Sequence, residues 1–324
     1  MGFLDWIRGI GGGENNNRLI SEIMDEGLTG ISRQLAGANE NQRKKIPDNI
    51  IAFIGAAGGT DTSIIVSNTA YALTKRGLRV LIVDLNLMYP AVSGFFSVEP
   101  SVGRPDFVDF IVGKVEIGKS IKHILPALSV MYAHNRTLFD VLYADNKHTA
   151  EVWEDTMSKL SDLYDFVLID VPNNLVLELV GETLNRADRV YIVWDENVSC
   201  PVNTERLRYC SEDGCGAYIG AKSRIVMNKR TQVYYTKEPF NKLGIRLVLE
   251  PFPFEPSVIE SGLFGELYVQ KGISTALNAK AFERLIYELA DTLIQDAQGF
   301  ARGNTAPATE NSGTSAEKGV DNPV

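Results

Sequence analysis

The sequence contains few of the residues that build disulfide frameworks or metal centres. Three cysteines and three histidines occur among 324 residues, and the cysteines are Cys200, Cys210 and Cys215. Three irregularly spaced cysteines cannot form a disulfide framework, and Cys210 and Cys215 have no second cysteine pair to complete a zinc site. We therefore expect the cysteines to be packing residues in a protein of the reducing cytoplasm.

Long apolar runs are also missing. No stretch of about 18 consecutive apolar residues occurs, and the N-terminus has neither the basic region nor the long apolar region of a secretory signal. The sequence therefore predicts a chain that neither spans a membrane nor is exported by that route.

Positive charge is the third deficit. Lysine and arginine number 32 against 41 aspartate and glutamate residues, which gives a net charge of −9 and an isoelectric point of about 5.0. Binding to nucleic-acid phosphates needs clustered lysine and arginine, so nucleic acid is not an expected partner. The hydrophobic content of 44% supports a sizeable core, in one large α/β domain with tails or in two smaller domains.

Composition divides the chain into four segments. Residues 1–13 predict a short amphipathic helix followed by a glycine break, and residues 18–47 predict a second helical segment with a polar, basic linker. Residues 49–299 are expected to be the folded domain. Residues 302–324 are rich in small and polar residues, which predicts a disordered tail.

The first predicted helix gathers its apolar side chains mostly on one side. These residues are Phe3, Leu4, Trp6, Ile7 and Ile10. Such a tethered helix inserts into a membrane interface or docks on a partner, and the alternative is a helix folded back onto its own domain. Ten residues with one acidic and one basic side chain would bind lipid only marginally.

Short apolar runs alternate with longer amphipathic stretches in the central segment, which is the pattern of βαβ units with a mostly parallel sheet. Strands are predicted at residues 50–55, 79–85, 128–133, 166–171, 189–194, 224–228 and 245–250. Helices are predicted at residues 63–76, 149–162, 176–186, 201–212, 256–265 and 278–298. The expected fold is a three-layer α/β sandwich with an N-terminal helical extension.

A glycine-rich turn with the sequence GAAGGTDTS follows the first predicted strand and precedes a predicted helix. In a phosphate-binding loop at this position, the backbone N–H groups and the helix dipole face the anion. A lone glycine loop is weak evidence, so its meaning depends on the segments that follow it.

Later segments resemble, in order and spacing, the deviant-Walker MinD/ParA family of P-loop NTPases. Residues 77–90 (GLRVLIVDLNLMYP) look like its second-strand motif, which ends in an aspartate beside the γ-phosphate. Residues 164–172 (YDFVLIDVP) are similar to its Walker B strand, whose aspartate assists magnesium. Residues 187–193, 226–229 and 253–256 resemble its later strand and adenine-side segments. The resemblance implies a P-loop NTPase fold of the MinD (SIMIBI) type.

The loop departs from that family at its charged positions. Ala57 stands where the family has its signature lysine, Thr62 where it has the P-loop lysine, and Asp61 where it has the last loop glycine. The P-loop lysine stabilises charge on the transferring phosphoryl group, and threonine cannot replace that cation. The Asp61 carboxylate is expected either to repel a nucleotide or to fill the N–H nest itself. Since the signature lysine reaches across a dimer, an ATP-sandwiched, hydrolysing dimer is not expected.

The resemblance implies that part of a nucleotide site survives. Ser63 and Asp170 could coordinate Mg²⁺ if nucleotide binds, and Asn228 could contact adenine. The alternative is that Asp84 and Asp170 are inherited strand ends with hydrogen-bonding roles. The candidate cofactor-binding residues are Gly58, Gly59, Thr60, Asp61, Thr62, Ser63, Asp84, Asp170 and Asn228. We expect no hydrolysis, with weak binding of ATP and Mg²⁺ left open.

Three functions are compatible with the resemblance. The segment after the second strand looks closest to the pilus-localisation (CpaE/TadZ-like) and tyrosine-kinase-like branches. Kinase members use two acidic residues where this chain has Asp84 and Asn86, and they carry a tyrosine-rich tail, whereas Tyr287 is the last tyrosine here. DNA partitioning requires ATP-gated dimerisation and a basic surface.

We therefore expect a non-hydrolysing localisation or scaffold protein that recruits or positions a membrane-associated machine, such as a pilus or secretion system. A nucleotide-gated ATPase of the ParA/MinD type is the alternative. The expected location is the cytoplasm, with peripheral contact at the inner face of the membrane, and a homodimer is a further option. The aromatic residues Tyr234, Tyr235, Phe252 and Phe254 are interpreted either as an exposed interface or as cover for a core edge.

Overall fold

The computed structural model describes residues 45–98, 104–134, 140–141, 144–208, 219–231, 238–271 and 276–299. The predicted N-terminal helix with Phe3, Leu4, Trp6, Ile7 and Ile10, nearly all of the second helical segment and the predicted tail lie outside these residues. The same is true of Cys210, Cys215, Tyr234 and Tyr235.

The strands of the described residues form one sheet. They are β1 (Ile50–Gly55), β2 (Val80–Asp84), β3 (Ile121–Leu125), β4 (Leu128–Met131), β5 (Phe166–Val171), β6 (Arg189–Trp194) and β7 (Ser223–Met227). Their order across the sheet is β3-β4-β2-β5-β1-β6-β7. Every pairing is parallel except that of β3 with β4.

Helices cover both faces of this sheet. They are α1 (Thr62–Lys75), α2 (Phe107–Ile111), α3 (Ile117–Ser120), α4 (Lys147–Leu163), α5 (Glu178–Arg186), α6 (Ser199–Arg208), α7 (Glu238–Leu243), α8 (Pro256–Leu263), α9 (Tyr268–Lys271) and α10 (Leu277–Ala297). Apolar side chains of α1, α8, α9 and α10 pack against one face, and those of α2 to α7 pack against the other. The predicted three-layer α/β fold is confirmed.

The central strands are apolar along their whole length because both of their faces are covered. All six residues of β1 and all six of β5 are buried, as expected for parallel strands between two helix layers. The parallel register brings the carboxyl ends of β1, β2, β5 and β6 to the same edge of the sheet. We call this edge the carboxyl edge, and the glycine-rich turn lies on it.

The structure differs from the predicted strands in two places, and the prediction of a strand at residues 245–250 is wrong. Residues 245–250 form no strand and touch β7 through an isolated bridge between Leu247 and Ile225. Strand β3 was not expected, because Lys122 and His123 interrupt its apolar residues and α3 leads directly into it. Its antiparallel pairing with β4 needs only a short connection, so no helix marks it in the sequence.

Phe252 and Phe254, the two of these four aromatic residues that the structure describes, differ in their exposure to solvent. Phe252 has no exposed surface and its ring lies 5.3 Å from that of Phe282, so it covers the core. The interpretation of Phe252 as an exposed aromatic is therefore wrong. Phe254 keeps 38% of its surface exposed.

None of the described helices combines the length and the apolar composition that crossing a bilayer requires.

A buried hydrogen bond connects helices α4 and α5, and its removal tests how much it stabilises this helix layer. The indole Nε1 of Trp153 donates to Thr183 Oγ1 at 2.8 Å, and both side chains have no exposed surface. Thr183→Val keeps the shape but leaves the indole N–H without an acceptor, so we expect the free energy of unfolding to fall by about 1–3 kcal/mol. Urea unfolding, monitored by tryptophan fluorescence, measures this change in the free energy of unfolding.

The control for that substitution is Thr292→Val on α10, where the hydroxyl donates to the carbonyl of Glu288 on the exposed side of the helix. We expect this change to alter stability by less than about 0.5 kcal/mol. Equal effects of the two substitutions would show that the buried hydrogen bond does not stabilise the layer.

Candidate functional site

The turn between β1 and α1 has the backbone of a phosphate-binding loop. Gly59 and Asp61 both adopt positive φ, 81° and 59°, and α1 begins at the next residue, Thr62. Glycine is needed at Gly55, because a Cβ there would lie 2.5 Å from Thr60 Oγ1. Among the described residues, none accepts a hydrogen bond from the backbone N–H groups of residues 58–63. A nest of free N–H groups therefore remains at the helix N-terminus.

The loop's negative charge is neutralised from another strand. The carboxylate Oδ2 of Asp61 lies 2.7 Å from Lys229 Nζ, and the same ammonium donates to the carbonyl of Gly59 at 2.6 Å. Lys229 follows β7 and itself has a positive φ of 54°. Asp61 makes no side-chain cap bond to α1, so its carboxylate lies against Lys229 and outside the N–H nest.

The side of the loop next to Asn228, where the resemblance would place adenine, has little open space among the described residues. Asn228 is 4% exposed and donates its Nδ2 to the carbonyl of Thr60 at 3.0 Å. The space beside Asn228, Lys229, Pro253 and Phe254 has a volume of ≈ 10 Å³, which is about that of one water molecule. Asn228 therefore holds the loop, and the space next to it does not fit a nucleotide base.

Asp84 at the end of β2 anchors the segment that follows it. It has no exposed surface, and its Oδ1 accepts from the backbone N–H of Asn86 at 2.9 Å. Its Oδ2 accepts from the N–H groups of Ala91 and Val92 at 2.9 and 3.0 Å. The carboxylate is thus occupied by backbone donors, which corresponds to the hydrogen-bonding role considered from the sequence.

Asp170 at the end of β5 is the carboxylate that faces open space. It pairs in register with Asp84 on β2, is 4% exposed, and accepts from Ser63 Oγ at 2.5 Å through Oδ2. Among the described residues, no donor reaches its Oδ1. Ser63 and Asp170 therefore lie together, in the arrangement expected of a magnesium-binding pair.

The two neighbouring carboxyl groups have perturbed acidities. Burial raises the pKa of Asp84 to about 6, and its three backbone hydrogen bonds oppose that rise. Burial and then the charge of Asp84 raise the pKa of Asp170 to about 8, while the hydrogen bond from Ser63 acts in the opposite direction. The two carboxyl groups therefore titrate as a coupled pair whose acidity is weakened by burial and by like charge.

An open cleft of ≈ 560 Å³ lies on the β2–β5 side of the loop. Its polar lining includes Asp61, Asp145 and Asp170, and its walls include the apolar residues Met88 and Val176. No lysine or arginine appears among the described residues that line it. The signature-lysine position is held by Ala57, which is 8% exposed. The cleft thus has the volume of a small-ligand site but no cation for a polyphosphate.

These features do not fit Mg²⁺–ATP as a whole. Ser63 and Asp170 fit a magnesium ion, and the free N–H groups fit a phosphate oxygen. The side beside Asn228 has little space, and the described phosphate side presents alanine and threonine at the two lysine positions of the family pattern.

Sequence reasoning missed two residues that shape the loop. Lys229 lies in a segment that resembles the family, but the sequence predicted no role for it. Asn203 on α6 donates to the carbonyl of Ala56 at 2.8 Å, and no role was predicted for this residue either. The Asp61 substitution was the available signal, because a carboxylate that is partly buried in a loop requires a cation nearby.

The comparisons with known proteins agree with this architecture. Residues 48–200 match a family model described as an AAA domain. A ParA family ATPase from Chlorobium tepidum TLS superposes with a TM-score of 0.62 and 17% identity, covering 76% of this chain and 98% of that chain. MinD from Pyrococcus horikoshii OT3, complexed with Mg-ADP, gives a TM-score of 0.62 and 21% identity over 77% of this chain and 98% of that chain.

A third similar structure is the MinC:MinD cell division complex of Aquifex aeolicus, with a TM-score of 0.58 and 18% identity over 80% of this chain and 98% of that chain. A comparison with curated proteins gave no significant match.

The fold and the loop define a P-loop NTPase-type α/β domain. More narrowly, the described domain shares the fold of these ParA and MinD structures, as the sequence motifs predicted.

The Asp84–Asp170 pair makes stability depend on pH. Because the pKa of Asp170 rises from 3.8 to about 8 on folding, its ionisation opposes folding as pH increases through this range. Asp170→Asn removes this effect. We expect the variant to gain stability over the native protein between pH 5 and pH 8, by on the order of 1–3 kcal/mol, measured by urea unfolding.

Asn174→Ala at the same edge changes no ionisable group and is the control for this measurement. Its unfolding free energy should run parallel to that of the native protein across the pH range. If the Asp170→Asn curve also runs parallel, the raised pKa is not a property of the folded protein.

Proposed function

We propose that this protein is a non-hydrolysing MinD/ParA-like scaffold that positions a membrane-associated machine, such as a pilus or secretion system. The observation that carries the proposal is the charge arrangement of the loop. Thr62 and Asp61 replace a lysine and a glycine of the family pattern, and the nearest described cation, Lys229, is paired with Asp61. Phosphoryl transfer by this family depends on cations at the phosphates.

The closed adenine side supports the same conclusion. A nucleotide would need to displace the Asn228–Thr60 hydrogen bond to open a space that now holds ≈ 10 Å³. An anionic triphosphate would also find no unpaired lysine at the described part of the loop, because Lys229 is already paired with Asp61.

A scaffold acts through contacts with other molecules. The MinD domain in the Aquifex aeolicus complex assembles with MinC, which supports protein partners for a domain with this fold. The apolar helix predicted at residues 1–13 offers a membrane contact, and the glycine break after it lets the domain lie away from the lipid.

A nucleotide-gated ATPase is the second candidate, and one observation favours it. Ser63 and Asp170 keep the pairing expected of a magnesium site, beside free N–H groups. MinD from Pyrococcus horikoshii is a complex with Mg-ADP, so the two candidates are separated by nucleotide binding.

Calorimetric titration with MgATP tests the proposal. We expect no heat of binding from the native protein, because its phosphate side presents no cation. The double variant Asp61→Gly, Thr62→Lys removes the carboxylate and restores the lysine, so it should gain micromolar affinity, a gain of at least about tenfold. A phosphate-release assay on the same samples reports hydrolysis.

The control is Asp61→Gly, Thr62→Met, which removes the same carboxylate and adds a chain of similar length without charge. We expect it to bind far less well than the lysine variant. Micromolar binding of MgATP by the native protein would refute the scaffold and support the nucleotide-gated switch.

Membrane contact is tested by co-sedimentation of the full chain with vesicles of phosphatidylglycerol and phosphatidylcholine. We expect Trp6→Asp, Ile7→Asp to reduce the bound fraction by about tenfold or more, because two apolar side chains no longer enter the interface. The control is Leu263→Asp, at a side chain of the folded domain that is 81% exposed. Equal binding by the Trp6, Ile7 variant and the native protein would exclude this segment as the contact.

A further inference from the structure

We propose that the cleft beside the phosphate loop receives a lysine or arginine side chain from a protein partner. This inference rests on the proposed scaffold function and names the chemistry of the partner at the same site. The cleft is the ≈ 560 Å³ space between the loop, the end of β2 and the end of β5.

Charge favours a cationic occupant. Asp61, Asp145 and Asp170 are among the residues that line the cleft, and no described residue of its lining carries a positive charge. Lys229, which neutralises Asp61, lies on the opposite side of the loop, among the residues of the closed adenine-side space. The net charge of −9 for the whole chain adds a field of the same sign.

Asp170 provides a specific acceptor within this field. Its side chain is 4% exposed and lines the cleft, and its Oδ1 has no hydrogen-bond partner among the described residues. The neighbouring Asp84 is occupied by three backbone N–H groups, so it contributes charge and no free oxygen. An ammonium or guanidinium group at Oδ1 would pair with the one carboxylate oxygen that the fold leaves open.

The walls suit the aliphatic part of a basic side chain. Tyr89 is 73% exposed and Val176 is 87% exposed at the mouth, and Met88 and Leu177 also line the cleft. Lysine and arginine bury their methylene stems along such surfaces while the charged group finds a polar partner. The volume exceeds one side chain, so neighbouring residues of the partner segment also fit.

The experiment uses a fluorescein-labelled hexalysine peptide and fluorescence anisotropy with the full-length protein at about 0.1 M salt, where distant surface charges are screened. We expect Asp170→Asn to weaken binding by at least tenfold. Glu260→Gln, which removes one exposed negative charge on α8 away from the cleft, should weaken it less than twofold. Asp145→Asn is a second cleft variant, and a several-fold loss is expected.

Equal affinities of the Asp170 and Glu260 variants would overturn the proposal. Titration with MgATP on the same samples separates the two ideas. If the native protein binds ATP at micromolar concentration and also binds the peptide through Asp170, the proposed scaffold function is refuted and the proposed site for a basic side chain is supported. Absence of both ATP and peptide binding overturns the site and leaves the scaffold standing.

Discussion

The parallel register of β2, β5 and β1 is the constraint on which the site depends. Parallel strands end at the same edge of the sheet. The loop after β1 and the carboxylates that end β2 and β5 therefore lie close together, although they are far apart in the sequence. The same register places Asp84 directly beside Asp170. The fold therefore imposes a buried like-charge pair, and the raised pKa of Asp170 follows from that position.

Given this constraint, the loop decides what the edge can bind. Two lysines of the family pattern are absent and a carboxylate has been added, so the loop supplies no cation of its own to a polyphosphate. Lys229 compensates locally, since it pairs with Asp61 and also holds the carbonyl of Gly59. Both side chains of this pair are about a quarter exposed, at 25% and 23%, so solvent screening limits its contribution to stability. Its main effect is on the shape and charge of the loop.

Most of the fold could be predicted because its signals are local. The apolar runs of β1, β5 and β6 and the helical period of α4 and α10 lie within single segments of sequence. Residues 245–250 are also apolar, but they contact β7 through a single β-bridge. Periodicity in the sequence does not distinguish such a segment from a strand. The motifs also located the loop, Asp84 and Asp170 at one edge.

The parts that could not be predicted depend on contacts between distant residues. Lys229 and Asn228 meet the loop from positions about 170 residues away, so no local pattern encodes the closed adenine side. Asp84 looked like a nucleotide-site residue, and only the path of residues 86–92 reveals that its oxygens bind backbone N–H groups. A family motif identifies which side chains reach an edge, but packing decides which of them remain free to bind a ligand.

The site is consequently asymmetric, and this asymmetry supports our proposal of a protein ligand in place of a nucleotide. A nucleotide must occupy both sides of the loop, with its base near Asn228 and its phosphates over the N–H groups. Here the first side is closed by hydrogen bonds, while the second opens into a cleft with Asp170 and exposed apolar residues at its mouth. A ligand that enters from the surface and needs no base pocket uses all of the available space. A side chain on a partner's surface meets that description, because its backbone stays outside while its charged end reaches the one free carboxylate oxygen.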